Sequence, residues 1–237
     1  EHHYGAHILF TNSQRIWEYV NRFANFNHYV NRVKVIHHEK IYSFPINLFT
    51  LYQVFGVKTP QEAIACLEKK KIPIVKPKNM EEWCLANIGR EIYEIFIEGY
   101  STKQWDKHPR DLPASIIRRI PMRLNFDDNY FNDRYQGIPI GGYTSIFEKM
   151  LQGIPLELNV DFHKERDFFL RKFDQVIFTG PIDSFFDYSL GHLEYRSLRF
   201  DHQVLNSPDY QGNAVFNHTE AIVPYTRTYE HKHFDLN

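Results

Sequence analysis

The sequence lacks the marks of several large protein classes. It has two cysteines, Cys66 and Cys84, among 237 residues, which is too few for a disulfide framework, so two reduced thiols are expected. We find no apolar run of membrane-crossing length and no signal peptide, so a cytoplasmic protein that does not bind membranes is predicted. With 28 basic and 29 acidic residues, the chain also lacks the positive charge of a general nucleic-acid binder.

Three kinds of site motif are absent as well. No GxGxxG follows a predicted strand, so the chain has no dinucleotide-binding fingerprint, and no GxSxG marks a hydrolase nucleophile. No metal site is predicted. His231 and His233 would share one face of a strand, but no third ligand is near them in the sequence.

Aromatic residues are abundant: they make up 16% of the chain, with 20 phenylalanines and 15 tyrosines. Between Tyr100 and Tyr143 they alternate with arginines in short segments broken by glycine and proline. Aromatic faces stack on planar bases, and guanidinium groups bind diphosphates through paired hydrogen bonds. This pattern is typical of a nucleoside-diphosphate site, although solvated surface loops would have a similar composition.

Hydrophobic periodicity predicts an α+β fold, in which a helical half is followed by a strand half. Helical spacing runs from Asn47 to Tyr100 and, after shorter helices and loops, returns at Tyr143–Leu151, and Thr59 followed by Pro60 marks a helix start. His37–Glu39 is expected to be a turn between two strands. Strands are also predicted at five later segments: 156–160, 175–179, 194–205, 214–217 and 226–231. The predicted division is 1–46, 47–152 and 153–237.

Ordered blocks along nearly the whole chain resemble the UDP-galactopyranose mutase family. The blocks are YGAHILFTNS, YVNRVK, FPINL, GYSTKQW, LPASIIRRIP, DDNYF, YQGIP, GGYTSIFEKML, FTGPIDSFFDY, LEYRSL, YQGNAV and PYTRTYEHKHF. The resemblance implies a helical bundle followed by a mainly antiparallel sheet. It also implies that the chain is the middle part of a longer flavoprotein, with the FAD fingerprint before it and further flavin contacts after it. Residues 1–46 would then lie near the flavin, 47–152 would bind substrate, and 153–237 would line the substrate cleft.

The resemblance implies a redox-neutral isomerase that interconverts UDP-galactopyranose and UDP-galactofuranose for cell-surface polysaccharide synthesis. In that family reduced FAD acts as a nucleophile and forms an adduct between its N5 atom and the sugar, while the protein binds, orients and stabilises charge. The expected partners are UDP-galactose and UDP, without nucleic acid or membrane, and a homodimer is expected for the full-length protein. The isolated chain is expected to bind FAD weakly and to be inactive.

The resemblance also assigns roles to individual residues. Arg119 and Arg196 would bind the diphosphate and stabilise the charge that develops on it as UDP leaves, and Arg118 is the weaker candidate beside Arg119. His7 would lie near the flavin ring. The substrate-binding residues would be Asn31, Phe96, Tyr100, Trp105, Tyr130 and Tyr225.

Two positions depart from the family pattern. Phe10 stands where bacterial members usually have a second histidine near the flavin, and Ile97 replaces a phenylalanine of the uracil pocket. A different class of function also stays open at this point, namely a non-catalytic UDP-sugar binding module or an inactive fragment. A strand–GxGxxG–helix unit upstream in the full polypeptide would favour the enzyme.

Residues 109–123 are expected to form a mobile lid. Pro113 and Pro121 bracket the arginine pair in this segment, and closure over a diphosphate would exclude water and strengthen the contact with Arg119. The alternative is a packed helix held in place by Ile116, Ile117 and Ile120.

Overall fold

The computed structural model describes residues 5–118 and 122–235. Its α-helices are α1 (Gln14–Val20), α2 (Leu48–Phe55), α3 (Pro60–Lys70), α4 (Met80–Asn87), α5 (Arg90–Tyr93), α6 (Gly99–Trp105), α7 (Ser115–Arg118), α8 (Thr144–Met150), α9 (Arg166–Lys172) and α10 (Ile182–Phe185). Its strands are β1 (Leu9–Thr11), β2 (Lys34–His37), β3 (Lys40–Ser43), β4 (Tyr135–Gly137), β5 (Val215–His218) and β6 (Arg227–Tyr229). The predicted α+β class is confirmed.

The chain divides into two compact units. The larger is made of residues 1–146 and 200–237, and the smaller of residues 147–199. The three-segment division predicted from the sequence is not tested by this partition and stays a prediction. None of the helices in the described part of the chain has the length and apolarity needed to cross a membrane.

A four-stranded sheet in the order β3-β2-β5-β6 organises the larger unit. β2 and β3 form the predicted hairpin, and His38 and Glu39 at its turn have φ of 46° and 63°. β5 lies parallel to β2, with Lys34 opposite Phe216, while β6 returns antiparallel to β5. β1 pairs with β4 in a separate two-stranded sheet. The central β2–β5 pair thus joins the first part of the chain to the last.

One hydrophobic core packs the helices of the larger unit against this sheet. Val35 of β2, Leu51 of α2 and Ile92 of α5 are fully buried, at 0% exposure. Burying each such side chain contributes about 1.5–3 kcal/mol. This core fixes the sheet and the helix that follows α5 relative to each other.

Two helices of the larger unit begin with capping boxes. The side chain of Asn47 accepts hydrogen bonds from the backbone N–H groups of Phe49 and Thr50, and the Thr50 side chain accepts one from the backbone N–H of Asn47. Thr59 and Glu62 form the same arrangement at α3, with Pro60 in the first turn. The helix start predicted at Thr59 is therefore confirmed.

A π-helical turn joins two α-helices in the middle of the chain. α5, the turn at Glu94–Glu98 and α6 follow one another without a break from residue 90 to residue 105. A π turn inside an α-helix is uncommon and is frequent at functional sites. This continuous helix carries Phe96, Tyr100 and Trp105.

Three of the predicted strands are wrong. Segments 156–160, 175–179 and 194–205 are not strands, and the short helices α9 and α10 lie between them in the sequence. The alternating apolar residues remain exposed, at 74% for Leu158 and 83% for Ile177. Alternation makes a strand only where a neighbouring strand supplies hydrogen bonds, and none of the described residues pairs with these segments.

Candidate functional site

The candidate site lies where the continuous helix meets β5 and β6. Phe96 of the π turn is 3% exposed, and its ring contacts that of Tyr42 at 5.4 Å between centroids. Tyr100 lies four residues later on α6, and the guanidinium carbon of Arg227 is 5.6 Å from the centroid of its ring. Phe96 therefore belongs to the core, while Tyr100 faces a cation.

Arg227 is held by hydrogen bonds to neutral groups. Its Nε donates to Oδ1 of Asn217 at 3.0 Å, and its Nη1 lies 3.3 Å from the hydroxyl of Tyr229. Asn217 lies opposite Arg227 in the β5–β6 register, and Tyr229 is two residues along β6, so all three side chains lie on one face of the hairpin. Within residues 5–118 and 122–235, no carboxylate forms an ion pair with Arg227.

The guanidinium of Arg227 stays protonated in this environment. Burial acts to lower the pKa of Arg227, but the phenol oxygens of Tyr100 and Tyr229 outweigh it, so the pKa is raised above the usual high value. A guanidinium group stays protonated in proteins in any case. The site therefore offers a permanent positive charge that no negative side chain of the described residues neutralises, a property suited to an anionic ligand.

The hydroxyl of Tyr100 is buried without a partner. Its Oη has almost no exposure and forms no hydrogen bond of good geometry with the described residues, although the guanidinium of Arg227 is close enough to interact with it. Burial raises the pKa of Tyr100, the guanidinium of Arg227 opposes the rise, and the phenols of Tyr130 and Tyr229 add to it. A buried hydroxyl that lacks a partner costs free energy, so this oxygen is available to a bound ligand.

Tyr130 and Asn31 lie on adjoining segments. The backbone N–H of Tyr130 donates to the Asn31 carbonyl at 2.8 Å, and the Asn31 side chain, 6% exposed, accepts a hydrogen bond from the Tyr29 hydroxyl at 3.3 Å. The phenol of Tyr130 is also near enough to Arg227 to interact with it electrostatically. The structure thus places two of the predicted residues, Tyr100 and Tyr130, near the Arg227 cation. Asn31 adjoins Tyr130, and Phe96 lies in the core of the same unit.

Arg123 and Asp128 hold the loop that carries Tyr130. The guanidinium of Arg123 donates to the carbonyl oxygens of Asp127 at 3.3 Å and Phe131 at 3.5 Å. Asp128 forms an ion pair with Lys34 of β2 at 2.8 Å. Asp127 and Asp128 therefore have a structural role in this loop.

Trp105 and Tyr225 are placed differently from Tyr100. Trp105 is half-buried and packs on the edge of the core at the end of α6. Tyr225 is 48% exposed, and its ring meets His218 edge-on, at 4.8 Å between centroids. Their roles in substrate binding stay predictions.

The positions of three further predicted residues leave their roles untested. Arg119 lies outside the described residues, next to Arg118 at the end of α7. Arg196 belongs to the smaller unit, outside any helix or strand, with an exposed side chain. His7 is exposed just before β1, and its carbonyl accepts a hydrogen bond from Tyr143 at 2.8 Å. Their proposed roles are untested by this geometry.

Arg227 and Tyr229 were not predicted from the sequence. Tyr225 was the residue selected from the block PYTRTYEHKHF, although an arginine follows it two residues later. A usable signal was present, because alternation along a strand places Arg227 and Tyr229 on one face. A cation and a phenol on one strand face, in a block already assigned to the substrate cleft, would have indicated a diphosphate contact.

Two groups of carboxylates and histidines have metal-like spacing. They are Glu81, Glu98 and His108, and Asp209, Glu230 and His233. In the first, Nδ1 of His108 accepts from the side chain of Arg110 at 3.0 Å, so its Nε2 carries the proton and faces Glu98. In the second, Lys232 contacts Glu230 at 2.5 Å. Because protein cations already occupy these groups, we assign no metal to either.

Comparison with known proteins gives one family. The family model described as UDP-galactopyranose mutase matches residues 95–237. A protein of Klebsiella pneumoniae called "Probable UDP-galactopyranose mutase" is 43% identical over 98% of this chain and 61% of its own length. The dTDP-fucopyranose mutase of Escherichia coli is 38% identical over 98% of this chain and 64% of its own length.

A more distant relative, the UDP-galactopyranose mutase of Mycoplasma genitalium, is 29% identical over 98% of this chain and 61% of its own length. The chain thus spans less than two thirds of each of these relatives. The family model covers more than half of the chain and includes Tyr100, Tyr130 and Arg227. The chain belongs to the UDP-galactopyranose mutase family.

Proposed function

We propose that the complete protein containing this chain interconverts the pyranose and furanose forms of a nucleoside-diphosphate sugar, with UDP-galactose as the first candidate. The observation that carries the proposal is Arg227, a charged group held by Asn217 and Tyr229 with no carboxylate partner among the described residues. A cation kept in place by neutral groups retains its hydrogen-bonding capacity for an anionic ligand. The diphosphate of the substrate is such a ligand.

Tyr100 and Arg227 have complementary roles in this proposal. The buried Tyr100 hydroxyl donates to the ligand, and the guanidinium of Arg227 binds a diphosphate oxygen. Negative charge grows on the diphosphate as its bond to the anomeric carbon breaks, so a fixed guanidinium stabilises the transition state more than the ground state. Arg119 and Arg196 remain the proposed additional contacts, with Arg119 brought in by the proposed lid.

The cofactor proposed for the complete protein is FAD, which in reduced form supplies the nucleophile for the anomeric carbon. The residues near His7 fit a flat ring. Phe10 of β1 is 47% exposed and its ring stacks on Phe131 with 3.9 Å between centroids, so an apolar surface lies three residues from His7. In this proposal His7 and Phe10 border the flavin. A cytoplasmic location and a homodimer are likewise proposed for the complete protein.

The proposed function is compatible with either of two nucleotides, UDP or dTDP. The two relatives with the higher identities carry names with different nucleotides, UDP for the Klebsiella protein and dTDP for the Escherichia coli protein. Uracil and thymine differ by one methyl group, and one methylene-sized group in an apolar pocket changes affinity by about 1–3 kcal/mol. Ile97 is 3% exposed inside the core, so it does not by itself decide between the bases.

The test is calorimetric titration of UDP and of dTDP into the complete flavin-containing protein and into Arg227→Met. Removing a charged contact to the diphosphate costs about 1.5–3 kcal/mol, so we expect affinity to fall about 10- to 150-fold for the preferred nucleotide. Arg15→Met, an exposed arginine of α1, is the control. Chromatographic separation of the sugar isomers measures turnover with chemically reduced flavin.

Two results would contradict the proposal. One is a complete protein that binds neither nucleotide diphosphate. The other is an Arg227→Met variant that binds and converts the substrate as well as the Arg15→Met control. A preference for dTDP over UDP would keep the reaction and replace UDP-galactose by a dTDP-sugar.

A further inference from the structure

Lys103 of α6 ends in a cage of backbone carbonyl groups. Its Nζ donates to the carbonyl oxygens of His218 at 2.8 Å, Glu220 at 2.8 Å, Val223 at 3.1 Å and Tyr225 at 2.9 Å. These four carbonyls belong to one short segment, which we call the β5–β6 loop and define as residues 219–226 together with His218 at the end of β5. An ammonium group has three N–H bonds, so at least one of them is shared between two of the four carbonyl acceptors.

Gly99 brings the same helix into backbone contact with the same loop. A Cβ atom placed on Gly99 would lie 2.1 Å from the carbonyl oxygen of Thr219 and 3.1 Å from the backbone nitrogen of Ala221. The φ of Gly99 is −68°, so the requirement for glycine here comes from the close approach and not from the backbone conformation. Gly99 and Lys103 are four residues apart and share one face of α6.

The loop leads directly into Arg227. Tyr225, whose carbonyl accepts from Lys103, is two residues before Arg227, and the backbone N–H of His218 closes the hairpin by donating to Thr226 at 2.9 Å. The Lys103 contacts therefore reach both ends of the loop, on the β5 side at His218 and on the β6 side at Tyr225. A shift of this loop would move Arg227 relative to Tyr100, which is on the same helix as Lys103.

We propose that Lys103 is a positioning residue, which sets the position of Arg227 over Tyr100 by fixing the β5–β6 loop to α6. This role rests on the function proposed above for Arg227. Lys103 touches neither the guanidinium nor a ligand in this arrangement; it acts through the backbone of the loop. Its compact ammonium suits a cage of carbonyl oxygens, whereas the planar fork of an arginine does not.

The outer side of the loop is held by two histidines of the β2–β3 hairpin. Nδ1 of His37 lies 2.9 Å from the Thr219 hydroxyl, and Nδ1 of His38 lies 2.9 Å from the Glu220 carboxylate. These contacts hold Thr219 and Glu220, at the β5 end of the loop. Val223 and Tyr225 are fixed to the helix by Lys103, and this second half of the loop is the part that adjoins Arg227.

The test is a double-mutant cycle in the complete flavin-containing protein, measured as the affinity for UDP or dTDP, whichever binds. Lys103→Met keeps the length of the side chain and removes the ammonium, and Lys69→Met on the exposed face of α3 is the matched control. We expect Lys103→Met to weaken binding about tenfold when Arg227 is present and to have almost no effect in the Arg227→Met background. A change carried through Arg227 must disappear with it.

A second measurement does not depend on the ligand. Amide hydrogen exchange in residues 219–227 is expected to become at least about tenfold faster in Lys103→Met, since local opening has its own free energy. Gly99→Ala disturbs the same contact from the helix side and serves if Lys103→Met does not fold. We expect it to show the same non-additivity with Arg227→Met.

The outcomes separate this proposal from the proposed function. If the complete protein binds no nucleotide diphosphate, the proposed function fails, and the exchange measurement alone decides whether Lys103 fixes the loop. Additive losses from Lys103→Met and Arg227→Met overturn the positioning role, and so does faster exchange with unchanged affinity, because Lys103 would then be only structural. Unchanged exchange in residues 219–227 overturns it as well.

Discussion

Tyr100→Phe should stabilise the ligand-free protein and weaken its binding of nucleotide. The Tyr100 hydroxyl is buried and has no hydrogen-bond partner among the described residues. Leaving a buried donor unsatisfied costs about 1–3 kcal/mol, so its removal should return about 1 kcal/mol or more of unfolding free energy. Because the same hydroxyl is proposed to donate to the ligand, affinity should fall by about 1 kcal/mol, or roughly fivefold.

Tyr93→Phe is the matched control for this prediction. The hydroxyl of Tyr93 lies 3.4 Å from Oε1 of Glu98, and the side chain is 1% exposed. Loss of that hydrogen bond should lower the unfolding free energy by about 0.5–1.5 kcal/mol and leave nucleotide affinity unchanged. The two variants remove the same atom at positions about two turns apart on one continuous helix, so changes of opposite sign in the unfolding free energy isolate the effect of the missing partner.

Urea unfolding of the complete protein without nucleotide gives the change in stability at constant m-value, and calorimetric titration gives the affinity. If Tyr100→Phe destabilises the protein as much as Tyr93→Phe does, the Tyr100 hydroxyl has a protein partner and is not held ready for a ligand. Unchanged nucleotide affinity would remove Tyr100 from the proposed contacts of the diphosphate.

Two further predictions concern stability. Burial and the nearby ammonium of Lys103 lower the pKa of His218. The stability that His218 contributes at neutral pH is therefore lost as pH falls from about 6.5 toward the lower folded-state pKa. His218→Asn should flatten the fall of the unfolding free energy at acid pH, and equal slopes in His218→Asn and in the exposed control His28→Asn would refute this. Asn47→Ala should lower the unfolding free energy measured in urea by about 2 kcal/mol or more. The fully buried Asn47 caps α2, and its side chain also donates to Ser43 at 2.9 Å. A loss below about 0.5 kcal/mol, the low end for a cap, would contradict this.

Local features of the fold were predictable from the sequence. The hairpin turn at His38 and Glu39 and the helix start at Thr59 depend on residues within four positions of one another. Side-chain caps and the conformations of turn residues are short-range interactions, so the sequence contains them directly. The aromatic and arginine pattern also selected Tyr100 and Tyr130, which lie close to the guanidinium group of Arg227, and their roles in binding stay predictions.

Long-range pairing was not predictable in the same way. The parallel contact of β2 with β5 joins Lys34 to Phe216, far apart in sequence, and no local pattern selects that partner. Alternation in segments 156–160 and 175–179 resembled that of strands, although nothing in the described residues pairs with them. Arg227 was missed for a related reason. It is a candidate site residue because its guanidinium faces Tyr100, which lies more than a hundred residues earlier in the chain.

The block GYSTKQW contains both the proposed ligand contact, Tyr100, and the proposed positioning residue, Lys103. Tyr100 lies between Gly99 and Lys103 in sequence, and both of these fix the loop that precedes Arg227. The helix therefore sets both sides of the Tyr100–Arg227 pair, one through its own side chain and the other through the backbone that it holds. The separation of phenol and guanidinium therefore depends on α6 together with the pairing of β6 with β5, which places Arg227 beside Asn217. Substitutions at Gly99 or Lys103 should accordingly change nucleotide binding without touching the nucleotide.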